Sequence, residues 1–226
     1  MENLSEKVVV VLPAFNEAEV IEQVVSDIRM AGFDDIVVVD DGSEDETHAR
    51  ASKGGAIAAR HLINRGKGAA VRTGTDVAKS LEADIIVTMD GDGQHNPHEI
   101  RPMVELIKNG HDVVLGTRMK NTKGMPPTRI LANFAGNILT WILFGIWISD
   151  SQSGFRAYSR KALEAIDTKS DRYEYDSEVA REIKLNQLKY TELPIEALYS
   201  QYSTNKKNKQ NFTNGIKTII KMFLSV

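Results

Sequence analysis

The chain has 226 residues, enough for one large domain with a substantial core. A net charge of −3 with no long basic run speaks against a nucleic-acid partner. The sequence contains no cysteine, which excludes disulfides and thiolate metal sites and fits a reducing compartment. The start, "MENLSEKVVVV", lacks the basic segment, apolar stretch and small-residue cleavage site of a secretory signal, so the cytoplasmic side is expected.

In chain order, "KVVVVLP" (7–13) is a continuous apolar, β-branched run and reads as a buried strand. A helix is expected from Glu17 to about Met30. "IVVVDDGS" reads as a second buried strand ending at Asp40, and Ser43 with Glu46 resembles a capping box for a short helix. "AIAAR" is a weaker third strand, "KGAAVRTGTDVAKSL" is helical in composition, and "DIIVTMD" is a strong fourth strand. Pro97 suits the first turn of a helix running to about Asn109, and "DVVLGTR" is a fifth strand. Strands alternating with helices predict a mostly parallel α/β sheet with helices on both faces. In such sheets ligands bind beyond the carboxyl ends of the strands. Three strands end there in polar clusters: "PAFNE", "DDGS" and "MDGDG".

Residues 119–128, with Gly124, Pro126 and Pro127, read as a loop before the uncharged run "ILANFAGNILTWILFGIWI" (130–148). That run approaches the length of a membrane span. It reads as a buried helix followed by a strand, as a helix lying in the membrane interface with Trp141 and Trp147 at that depth, or as a true span. The tail "NFTNGIKTIIKMFLSV" is apolar at helical spacing and suits a docking or second interfacial helix. The chain ends at Val226 without a clear membrane helix, so weak interfacial binding or a small membrane-protein partner is expected.

The two carboxylates of "MDGDGQHNP", Asp90 and Asp92, need a reason to sit together. An EF-hand loop counted from Asp90 needs glycine sixth and glutamate twelfth, but His95 and Arg101 stand there. "GKGAAV" (66–71) has two of a dinucleotide fingerprint's three glycines. It follows a short strand, and Val71 replaces the last glycine. A P-loop is absent because Gly68 follows Lys67, and no Gly-x-Ser-x-Gly elbow occurs. A divalent-metal site remains: two carboxylates hold Mg²⁺ or Mn²⁺, and water and ligand phosphates complete the shell.

The ordered motifs "PAFNE", "VVDDGS", "MDGDGQHNP", "GTR" and "DSQSGFRAYS" resemble the family 2 glycosyltransferases of GT-A fold, and within them the dolichyl-phosphate and polyprenyl-phosphate sugar transferases. The resemblance runs from about residue 7 to about 203. It implies a GT-A, Rossmann-like nucleotide-diphospho-sugar transferase with an amphipathic membrane-interface segment. Residues 1–118 would form the nucleotide-sugar half and 119–226 the acceptor half of one catalytic domain. It implies that Pro13, Ala14 and Glu17 line the nucleotide pocket. Asp40 would bind the base or ribose, with Asp41 beside it. Asp90, Asp92 and Gln94 would hold the metal, Arg118 would meet a phosphate, and Arg129 would face the acceptor phosphate. Lys206, Lys207 and Lys209 would close over the diphosphate, touch anionic lipid or lie in a solvated loop.

Such transfer develops charge on a diphosphate leaving group, which a metal and arginines stabilise. A phosphate monoester acceptor is already largely ionised at neutral pH and needs no strong base, whereas an alcohol does. Asp150 stands where the resemblance implies such a base, with Asp176 and Glu178 as second choices. For a lipid phosphate, Asp150 is expected to serve in structure or positioning, capping or pairing with Arg156. The expected reaction is inverting, metal-dependent transfer of one sugar from GDP-mannose, UDP-glucose or UDP-N-acetylglucosamine to a polyprenyl or dolichyl phosphate at the cytoplasmic membrane face. The alternatives are transfer to a saccharide hydroxyl with Asp150 as base, or a non-catalytic nucleotide-binding subunit of a membrane complex.

Overall fold

Seven strands join in one sheet in a computed structural model of the chain, which describes residues 6–119, 134, 137–138, 140–172 and 174–198. In chain order the elements are β1 (Val8–Ala14), α1 (Ile21–Met30), β2 (Ile36–Asp40), α2 (Thr47–Lys53), β3 (Ile57–Arg60), α3 (Lys67–Ser80), β4 (Ile85–Thr88), α4 (Ile100–Lys108) and β5 (Val113–Thr117). β6 (Arg156–Ser159), α5 (Arg160–Ala165), α6 (Glu174–Leu185) and β7 (Tyr190–Pro194) follow. The strand order is β3-β2-β1-β4-β6-β5-β7, and every pairing is parallel except those of β6.

The continuous apolar runs have a simple cause. Successive side chains of a strand point to opposite faces, and here both faces are covered. Val9 and Val11 of β1, with Val37 and Val39 of β2, pack beneath Ala70, Val71 and Ala78 of α3 and Val179 and Ile183 of α6. Val10, Leu12, Ile36 and Val38 face α1 and α4 on the other side. α1 buries Ile21, Val24, Val25 and Ile28, the stripe expected of a helix lying on a sheet. β3 read weakly because it is the sheet edge, where its residues are exposed or half-buried.

Four sequence expectations shift. The first helix begins at Ile21 rather than Glu17, because the Glu17 carbonyl accepts from Val20 and Ile21 in a tight turn. The Ser43–Glu46 capping box is not made. The Ser43 hydroxyl accepts the Asn16 N–H, and α2 starts at Thr47, whose N–H goes to Asp45. A short 3₁₀ turn, Pro97–Glu99, capped by the Asn96 side chain, precedes α4. β6 inserts antiparallel between β4 and β5. Its buried Arg156 breaks the apolar run that identifies the other inner strands.

Candidate active site

β2, β1 and β4 are neighbours in the sheet, so "PAFNE", "DDGS" and "MDGDG" emerge together at its carboxyl edge. The first two turns are laced to each other. Asn16 accepts the Glu44 N–H through its side chain, and the N–H of the buried Glu17 goes to the Thr47 hydroxyl. Pro13 and Ala14 close β1 in register with Val39 and Asp40 of β2.

Asp40 and Asp41 do different work. Asp40 is fully buried and takes the Ser43 N–H at 2.9 Å, while Arg60 Nε lies 3.2 Å from its other oxygen. Asp41 accepts from His61 Nδ1 at 2.7 Å and from the backbone N–H groups of Arg65 and Gly66 at 3.0 and 2.7 Å. Its carboxylate therefore fastens the 61–66 loop that leads into α3.

The acidic turn is tightly seated. A side chain at Gly91 would press on Ile21, Ala14 and the Pro13 carbonyl, and Gly93 sits at φ +74°, where glycine is favoured. Asp92 accepts from the Gln94 backbone and side-chain amides at 3.0 and 2.8 Å. Asp90 lies 2.8 Å from Lys67 Nζ and 3.5 Å from Nε2 of the buried His95. Burial alone would raise the Asp90 carboxyl, but the charge of Lys67 and the contact with His95 hold it well below the ordinary aspartate value. The same pairing overrides burial at Lys67 and holds its ammonium above the usual lysine value. His95 packs against Phe155 with ring centroids 5.0 Å apart, and Leu198 donates to the Gln94 carbonyl.

No group of three histidine or acidic side chains surrounds a metal position among the described residues. The donor set nevertheless fits a hard cation. Two carboxylates two residues apart, and the amide oxygen of Gln94, match Mg²⁺ or Mn²⁺ taken up with ligand phosphates.

On the other side of the edge, Arg118 grips Asp150 with Nε at 2.7 Å and Nη2 at 2.9 Å, and its backbone N–H adds a third bond. Asp150 is buried and both its oxygens are engaged. The loop carrying it is fixed from several segments. Glu192 of β7 accepts from the backbone and hydroxyl of Ser149, and Asn137 binds Ser149 and Ser151. Arg156, expected to partner Asp150, instead pairs with Asp176 at 2.8 Å and donates to the Ser151 and Ser153 carbonyls. Burial pushes the Asp176 carboxyl up, against the pull of Lys67 and Arg156. Glu178 takes the N–H groups of Lys169 and Ser170 and so shapes the turn before α6. Arg129, Lys206, Lys207 and Lys209 lie outside the described residues.

The family description "Glycosyl transferase family 2" matches residues 9–167, which include all three turns and the Asp150 loop. The chain belongs to glycosyl transferase family 2. Among its relatives, the UDP-N-acetylglucosamine–dolichyl-phosphate N-acetylglucosaminyltransferase of Methanococcus voltae is 36% identical over 85% of this chain and 86% of its own length. The polyprenol monophosphomannose synthase of Mycolicibacterium smegmatis is 32% identical over 72% of this chain and 65% of its own length. Glucosyl-3-phosphoglycerate synthase of Mycobacterium tuberculosis, solved with Mn²⁺, UDP and phosphoglyceric acid, superposes with a TM-score of 0.72. That superposition covers 98% of this chain and 78% of that one at 20% identity, and establishes the GT-A-like fold.

For this family 2 transferase, sequence reasoning missed the contacts of Lys67 and His95 with Asp90, and it named Asp176 without its pairing with Arg156. In the sequence Lys67 bears only on the dinucleotide-fingerprint and P-loop readings. A lysine opening a helix two glycines wide, "GKG", was the available signal. The separation of Asp150 from Arg156 had no sequence signal, because it depends on how β5 and β6 pair.

Proposed function

We propose that the enzyme transfers one sugar, with inversion, from a nucleotide-sugar donor to a polyprenyl or dolichyl phosphate at the cytoplasmic face of the membrane. An acceptor phosphate oxygen attacks the anomeric carbon, the bond from that carbon to the donor diphosphate breaks, and the nucleoside diphosphate leaves. The observation that carries this reading is the state of Asp150. With both oxygens held by Arg118, its carboxylate is spent on orienting a guanidinium rather than aimed at a hydroxyl proton. A phosphate acceptor requires no such base.

The remaining roles follow the same logic. Pro13, Ala14, Glu17 and Asp40 line the nucleotide pocket, while Asp41 supports it through the 61–66 loop. Asp90, Asp92 and Gln94 would hold Mg²⁺ or Mn²⁺, which supplies charge neutralisation of the leaving diphosphate. Phosphate binding is assigned to Arg118, and also to Arg129 and Lys207, which lie outside the described residues. Trp141, Ile142 and Trp147 are about half exposed or more, and large apolar side chains displayed this way suit a membrane surface. No helix among the described residues is long and apolar enough to cross a membrane.

The test is a lipid-extraction assay with purified protein, Mg²⁺ or Mn²⁺, a short polyprenyl phosphate in detergent and one labelled nucleotide sugar at a time. UDP-N-acetylglucosamine comes first, because the Methanococcus voltae relative bears that donor's name. Label in the organic phase with one donor is the expected result. Nucleotide binding without lipid labelling by any donor would overturn the reading.

A further inference from the structure

β7 does more than close one side of the sheet. It runs parallel to β5, with Leu193 and Pro194 in register with Gly116 and Thr117, so it ends beside the residue that precedes Arg118. Tyr190 and Glu192 share one face of the strand, and both reach the segment that carries Asp150. The Tyr190 hydroxyl donates to the Trp147 carbonyl at 3.0 Å. Glu192 accepts the Ser149 N–H on Oε1 at 2.6 Å and the Ser149 hydroxyl on Oε2 at 3.0 Å. The alternate residues Ile146, Ile148 and Asp150 are buried. β7 thus joins the two segments that present Arg118 and Asp150.

These bonds have a direction. A carboxylate only accepts, so the single hydroxyl proton of Ser149 goes to Glu192. The 2.7 Å contact between the Ser149 and Thr117 hydroxyls is then donated by Thr117. Thr117 Oγ1 in turn accepts the Met119 N–H at 3.3 Å. The chain from Met119 through Thr117 and Ser149 to Glu192 runs one way, and each bond polarises the next. It engages the residues on both sides of Arg118 and the residue before Asp150. Between them, the Arg118 N–H, Nε and Nη2 lie 3.1, 2.7 and 2.9 Å from the Asp150 carboxylate. We infer that Glu192 is a positioning residue: by setting the direction of this chain it holds the Arg118–Asp150 pair in one geometry. Resting on the reading of Arg118 as a ligand of the acceptor phosphate, Glu192 then governs acceptor binding through Arg118 rather than by contact.

Glu192→Gln tests the direction at constant shape. The amide oxygen still accepts the Ser149 N–H, but its NH₂ donates to the Ser149 hydroxyl and reverses the chain. Asn137 holds Ser149 and Ser151 independently of Glu192, so the loop keeps a second anchor. Backbone hydrogen exchange is read by NMR in wild type, Glu192→Gln and Ser149→Ala. In Glu192→Gln, exchange at the Arg118 and Met119 amides should quicken about tenfold, with that of Gln94 in the acidic turn unchanged. Ser149→Ala cuts the chain at its middle and should do the same at Met119. In the lipid-extraction assay, Glu192→Gln should raise KM for the polyprenyl phosphate about fivefold with donor KM unchanged, and should add less than about twofold in an Asp150→Asn background. Exchange at Arg118 and Met119 equal to wild type in both variants overturns the inference. So does exchange quickened equally at Gln94, which would make Glu192 a general support of the fold, and so do losses that multiply in the double variant. Quickened exchange at Arg118 and Met119 in a protein that labels no lipid phosphate would leave the positioning role standing while the acceptor reading fails. Lipid labelling beside unchanged exchange would do the reverse.

Discussion

The two sides of the sheet's carboxyl edge are held by different kinds of bond. On the proposed donor side, Asp40 and Asp92 accept from backbone N–H groups two or three residues on, at Ser43 and Gln94, and Asp41 accepts from the 65–66 amides of the returning loop. On the proposed acceptor side, side chains far apart in sequence hold one another: Arg118 with Asp150, Glu192 with Ser149, Arg156 with Asp176. Carboxylates bonded to local N–H groups form preorganised turns that exist before any ligand binds. Long-range ion pairs instead make the acceptor loop's shape depend on the whole second half of the fold. Function lost without stability is therefore expected on the first side, and stability lost together with function on the second.

Asp92→Ala should show the largest effect on turnover. Its side chain accepts from Gln94 and lies outside the buried core, so the fold keeps its core while, on the proposed mechanism, the leaving group loses counter-charge. A fall in kcat on the order of 10³-fold is expected, with a small change in the thermal transition. Activity that survives both this substitution and chelation of divalent ions would refute the metal-dependent mechanism.

Arg156→Met marks the opposite pole. The guanidinium is buried, and its removal leaves the Asp176 carboxylate and two loop carbonyls without their cation. Stability should fall by about 3–5 kcal/mol, read from urea unfolding. A variant as stable as wild type would show that the acceptor loop does not depend on this pair.

Asp150→Asn separates the acceptor classes. If the carboxylate only orients Arg118, transfer should fall about tenfold, much of it in KM for the lipid phosphate. A loss on the order of 10³-fold or more in kcat with KM unchanged would assign it the work of a base and move the reading to a hydroxyl acceptor.

The same contrast explains what was legible in the sequence. Strands covered on both faces announce themselves as apolar runs, so β1, β2, β4 and β5 were readable, as were the polar turns that end them. The acidic turn was readable because its carboxylates and glycines are close together in sequence. β6 was not, since its run Arg156–Ser159 buries an arginine at its first position and a tyrosine at its third rather than a valine stretch. Pairings such as Asp150 with Arg118 depend on an antiparallel strand inserted between β4 and β5, and no local pattern encodes that register. The anchoring role of Asp41 was not legible for a subtler reason. In "DDGS" the two aspartates look alike, and only the return of residues 61–66 to the edge distinguishes them. Asp41→Asn should accordingly lower stability by about 1–3 kcal/mol, because a neutral amide cannot accept the same bonds from Arg65 and Gly66 with both of its end atoms. A large rise in donor KM at unchanged stability would return Asp41 to the pocket lining.

The smallest effect concerns acid, and its sign differs between the two sides. Lys67 and His95 overcome burial to depress Asp90, and bonds from Lys189 and Lys161 overcome burial to depress Asp112. A depressed carboxyl contributes stability that is present above the ordinary aspartate value of 3.8 and is lost as pH falls through its folded value. Asp176 is raised by burial, so the folded chain takes up its proton more readily than the unfolded chain, and acid favours the fold at that site. The urea midpoint should therefore begin to fall near pH 4, with the acceptor side opposing the decline. Asp90→Asn, which abolishes the depressed group, should flatten the acid limb, whereas Asp176→Asn should steepen it. Identical limbs in both variants would mean that the Lys67–Asp90 and Arg156–Asp176 pairs do not carry opposite proton linkages.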